Sequence, residues 1–104
     1  MVMLLLRDDL IVETFDSPDD PPDWVEWIDV ENGEYRFCSE TGQKYRGELV
    51  QRGWLFRSVK WRLIPDGKPD PRNAIAIVER AVDVDPQRSC FADLATLRQH
   101  LTKR

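Results

Sequence analysis

The densest set of side chains able to do chemistry lies between Lys44 and Ile64. There Lys44, Arg46, Arg52, Arg57, Lys60 and Arg62 stand against Glu48 alone, with Tyr45, Trp54, Phe56 and Trp61 interleaved. Cations for phosphates beside aromatic faces for bases make a platform for single-stranded nucleic acid. Strand alternation puts Arg46, Trp54, Phe56, Lys60 and Arg62 on one face, with Trp27 and Cys38 beside them. A structural reading competes: Trp27, Trp54 and Phe56 form the seat of an amphipathic C-terminal helix, and the basic stems lie over their edges. A sequence pI near 4.9 favours the structural reading over a dedicated nucleic-acid binder.

Cys38 or Cys90 with His100 is the one thiol and imidazole combination in the chain. No local signature surrounds these residues, and a free cysteine is commonly a small buried hydrophobe, so no catalytic residue is assigned. Asp16, Asp19, Asp20 and Asp23 lack the alternating ligand spacing and central glycine of a calcium loop. A single histidine leaves no Cys/His set at zinc spacing. The five glycines never cluster before a helix, and no serine lies between glycines, which argues against phosphate loops and nucleophile elbows. Neither a metal nor a cofactor is expected.

These side chains must be held by a chain of 104 residues, 41% apolar and 33% charged, which fits one small globular domain. The apolar run Met1 to Leu6 passes into Arg7-Asp8-Asp9, too short for a membrane span or a signal-peptide core, so a cytoplasmic protein with no membrane partner is expected. The formal net charge of −4 hides an asymmetry. Residues 1 to 43 carry twelve Asp/Glu against Arg7 and Arg36, a net of −10; residues 44 to 104 carry thirteen Lys/Arg against seven Asp/Glu, a net of +6. Such halves either pair within one fold or steer a charged partner.

Val2 to Leu6 and Leu10 to Phe15 read as two strands around a polar turn. Residues 16 to 23, rich in Asp and Pro, read as an extended acidic connector. From Trp24 to Ile64 the punctuation is that of an antiparallel meander. Asn32-Gly33 suits a type I′ hairpin that sets Val30 opposite Tyr35, Ile28 opposite Phe37 and Asp29 opposite Arg36. Gly42 and Gly53 suit three-residue turns, which carry Tyr45, Leu49, Leu55, Val59, Trp61 and Leu63 onto the face of Tyr35 and Phe37. Asp70-Pro71 opens a helix over 71 to 84, with an extra strand over 74 to 84 as the alternative, because Ile75, Ile77, Val78, Val82 and Val84 are β-branched. Ser89 caps a last helix whose apolar stripe is Phe91, Leu94, Leu97 and Leu101.

The expected fold is therefore α+β: an antiparallel meander of four to six strands with one or two C-terminal helices packed on it. The functional expectation is a small non-catalytic module that binds another protein through exposed aromatics, Trp24, Trp27 and Trp54, framed by charge. The acidic connector then attracts a basic partner. Single-stranded nucleic-acid binding through Trp27, Trp54, Phe56, Lys60, Arg62 and Arg46 is the alternative.

Overall fold

The computed structural model describes residues 2–52 and 59–102, with the backbone alone at 51 and 52. Strand β1 (Met3–Leu6) pairs antiparallel with β2 (Ile11–Phe15) on one side and with β3 (Arg36–Ser39) on the other. Beyond β3 lie β4 (Lys44–Arg52) and β5 (Val59–Pro65), and a two-residue strand β6 (Asp83–Val84) runs parallel to β2. The sheet order is β5-β4-β3-β1-β2-β6. This is the expected α+β architecture, a mostly antiparallel sheet with helices that include one at the C-terminal end.

β1 is the middle of a sandwich, and its composition shows why. All four of its residues are buried, because both sheet faces are covered. On one face Leu4, Leu6, Val12 and Cys38 pack under α2 (Pro71–Arg80) and α3 (Leu94–Thr102), through Ala74, Ile77, Val78, Leu97 and Leu101. On the other, Met3, Leu5, Phe37, Trp61 and Leu63 pack under Val25 and the short helix α1 (Trp27–Glu31). A strand buried on both faces needs a continuous apolar run instead of an alternating one.

The three-residue turn Glu40-Thr41-Gly42 forms as expected. Gly42 takes φ +92, and Phe37 lies opposite Tyr45. Asp70 caps α2 by accepting from the Arg72 N–H, with Pro71 at the first helical position. Four expectations are corrected. Asn32-Gly33 closes no hairpin: Gly33, at φ +74, terminates α1, with its N–H donating to Val30 O and the Glu34 N–H to Asp29 O. Left-handed backbone at glycine serves a helix C-terminus as readily as a turn, so the Val30/Tyr35, Ile28/Phe37 and Asp29/Arg36 pairs do not form.

The connector is folded rather than extended. Ser17 Oγ accepts from the Asp19 N–H, and a 3-10 turn at Pro21–Asp23 buries Pro21. The helix over 71 to 84 stops at Arg80, and its β-branched tail supplies β6, whose strand-like path runs on beside β2 as Asp85 N–H donates to Val12 O and Thr14 N–H to Arg88 O. Asp93, not Ser89, caps α3, accepting from both N and Oγ1 of Thr96. Among the described residues no helix is long and apolar enough to cross a membrane.

Candidate functional site

The helices decide which sheet surface is open. α2 and α3 cover β1, β2 and β3 on one face, while beyond Tyr45 the described part of β4 pairs with β5 as a two-stranded ribbon whose other face packs under α1. Arg46, Lys60 and Arg62 share the uncovered face of that ribbon and are exposed, as strand alternation predicts. Arg62 lies directly opposite Glu48 and donates to its Oε1 at 2.6 Å. Trp27, expected on the same face, stands on the other one, 6.0 Å from Trp61 between ring centroids. The C-terminal helix does not use it as a seat. Trp54 and Phe56, like the turn expected at Gly53 and the core position expected for Leu55, lie outside the described residues.

That other face carries a groove, built from the 3-10 turn upward. Pro21 O accepts from Trp24 N and Val25 N, folding the chain so that Val25 is buried and Trp24 is 61% exposed. The Trp61 indole N–H donates to Val25 O at 3.2 Å and pins this corner to β5. α1 then turns Trp27 and Val30 inward and leaves Ile28 60% exposed. The result is an open groove of about 580 Å³. Its apolar lining comes from Trp24, Trp27, Ile28, Val59 and Trp61, and Asp23, Glu26 and Glu31 supply carboxylates. The indole Nε1 of Trp27 is buried without an acceptor among the described residues.

Beside the groove, and sharing Trp24 and Val25 with it, is a more polar recess of about 380 Å³ around Glu13. Glu13 sits on β2 opposite Leu5, is 4% exposed, and its Oε1 has no hydrogen-bond partner among the described residues. Burial pushes its carboxyl above the ordinary value, while Arg88 and Arg7 pull it back. Arg7 donates to both Asp9 and Asp85. Burial likewise pushes the Tyr35 phenol at the recess wall upward, and Asp29 and Glu13 add to the effect.

The Cys38 thiol and the His100 imidazole are each engaged elsewhere. Burial pushes the Cys38 thiol up to about 11, and it donates to Ser39 O. His100 Nε2 is engaged with the Glu40 carboxylate, and its ring packs on Phe91 at 5.1 Å. Among the described residues no three His, Cys, Asp or Glu side chains are placed to hold a metal ion. Sequence reasoning picks out Trp24 and Trp27 but misses Glu13, Ile28 and Arg88. The one available signal is an acid in the middle of the strand Ile11-Val12-Glu13-Thr14-Phe15.

Comparison with protein families, with characterised proteins and with solved structures finds no match to this chain.

Proposed function

We propose that this chain is a protein-interaction module that holds a basic, partly apolar segment of a partner in the groove between the 3-10 turn, α1 and the start of β5. The observation that carries this reading is the exposure of Trp24 and Ile28, 61% and 60%, on one groove lined by Asp23 and Glu26. Aromatic anchors supply interface energy in a small area, and carboxylates around them select a cationic partner and speed its approach. The acidic half of the chain, net −10 over residues 1 to 43, adds a long-range field of the same sign.

The test is binding of a fluorescent peptide that alternates Leu with Arg and Lys, set against a peptide with Leu and Glu at the same positions. Basic-peptide binding at least tenfold tighter, and weakened at least tenfold in Trp24→Ala/Ile28→Ala, supports the reading. Equal binding of both peptides, or an unaffected variant, overturns it.

A second reading rests on a separate observation. α2 and α3 leave Arg46 and Lys60 exposed on the ribbon, which suits the phosphates of a single-stranded nucleic acid. Arg62, held by Glu48, is less available to it.

A further inference from the structure

Glu13 is a buried acid whose partner holds it loosely. A carboxylate removed from water needs donors on its oxygens or it destabilises the fold, yet Oε1 of Glu13 accepts no hydrogen bond from the described residues. Among the described residues its nearest cation, Arg88 Nη1, stands 3.6 Å away. A charge-assisted N–H···O bond is about 2.7–2.9 Å long, so this ion pair falls short of contact. Arg7 does not fill the gap, being held by Asp9 and Asp85.

The position of Arg88 shows what the recess accepts. Its guanidinium lies 4.9 Å from the centroid of the Trp24 ring, within the reach of a cation–π interaction. The same group faces Glu13. A planar guanidinium can stack on an indole and turn an N–H edge toward a carboxylate at once, which a compact ammonium does less well. The Arg88 backbone is fixed to β2, where its carbonyl accepts from Thr14 N–H, but its side chain is 43% exposed. It can leave by side-chain rotation alone, with the sheet intact.

From this arrangement we infer that the Glu13–Trp24 recess is a guanidinium pocket for an arginine side chain of the bound segment, and that Arg88 is the chain's own occupant, displaced on binding. The inference rests on the groove reading and deepens it by naming the residue type recognised. Trp24 and Val25 line both the groove and the recess, so a segment lying in the first can extend a side chain into the second. Exchange keeps the charge of the recess constant: one guanidinium leaves for water as another arrives.

The test uses ethylguanidinium as the probe and Arg88→Ala as the variant that vacates the pocket. Thermal unfolding is followed as millimolar probe is added. The expected result is a saturating upward shift of the midpoint in Arg88→Ala, several-fold larger than with ethylammonium and absent in Arg88→Ala/Glu13→Gln. Wild type, whose own Arg88 competes, responds several-fold more weakly. A response in Arg88→Ala no larger than that of the double variant, or no larger than that with ethylammonium, overturns the inference. Should Arg88→Ala not fold alone, the readout becomes recovery of its circular dichroism by the probe. Arg88→Ser, which likewise removes the guanidinium, is then titrated beside it, and failure of both to respond is equally decisive. No peptide enters this experiment, so its failure leaves the groove test standing, and failure of the groove test leaves this result readable.

Discussion

Gly47 lies directly beneath Trp27: a Cβ on the glycine would fall 2.9 Å from the indole ring, and 2.6 Å from Val30 Cγ1 of the same helix. The absence of a side chain on β4 is what lets α1 settle on the ribbon and form one wall of the groove. Gly47→Ala forces α1 outward, and overpacking of this kind costs about 1–3 kcal/mol. Urea denaturation should show that destabilisation, together with weaker basic-peptide binding. Unchanged stability would mean that α1 can lift away freely and does not shape the groove.

Local chemistry makes the strands and caps legible where only one structure satisfies it. Met3 to Leu6, Asp70-Pro71 and the Gly42 turn each have one good solution, and each forms as read. Asn32-Gly33 has two solutions, because left-handed backbone ends a helix as well as a hairpin. Tertiary packing makes the choice: Trp27 and Val30 find Trp61 and Gly47 as neighbours only from a helix. Ser89 and Asp93 are similarly ambiguous. Ser89 Oγ accepts from the Phe91 N–H in a local turn, while Asp93 begins the helix. The groove is not legible in the sequence because it depends on the less obvious solution at Asn32-Gly33: Ile28, expected in a core strand, is 60% exposed on α1.

Glu13 gives the protein a pH dependence of definite sign. Burial raises its folded-state pKa above the ordinary 4.5, so the folded protein binds this proton more tightly than the unfolded chain does. The stabilising contribution of protonated Glu13 is fully present below that ordinary value and is lost as pH rises through the folded one. Asp9, held low by Arg7, works in the opposite direction, as does Asp93 under the Thr96 donors. Comparing wild type with Glu13→Gln cancels those other groups. The stability of wild type relative to the variant should fall as pH is raised from about 3 to about 7. A difference that is flat over that range, or that rises, would contradict a desolvated carboxylate at this position.

The two thiols should separate cleanly by reactivity. The Cys38 thiol is buried and pushed up to about 11, so almost no thiolate exists near neutral pH, whereas Cys90 is exposed. Thiolate is the reactive species. A disulfide reagent at neutral pH should therefore modify one cysteine per native chain quickly and the second only after denaturant is added. Cys90→Ser should abolish the fast phase. Two fast thiols in the native protein would mean that α2 does not keep solvent from Cys38.

The uncovered ribbon makes the nucleic-acid reading separable from the groove. Arg46 and Lys60 are exposed on the β4–β5 face opposite Trp27, whereas Arg62 is already neutralised in place by Glu48. An exposed cross-strand pair of that kind contributes about 0–1 kcal/mol, so Arg62→Ala should leave stability nearly unchanged. If the ribbon binds single strands, removing one phosphate-binding cation should lower the slope of log affinity against log salt by about 1. Arg46→Ala and Lys60→Ala should each do so, and Glu48→Gln should raise affinity by releasing Arg62. A fluorescent single-stranded oligonucleotide, measured at low and moderate salt, decides between the faces. Binding that responds to Arg46 and Lys60 but not to Trp24→Ala/Ile28→Ala assigns it to the ribbon, and no binding at low salt removes this reading and leaves the groove as the site to pursue.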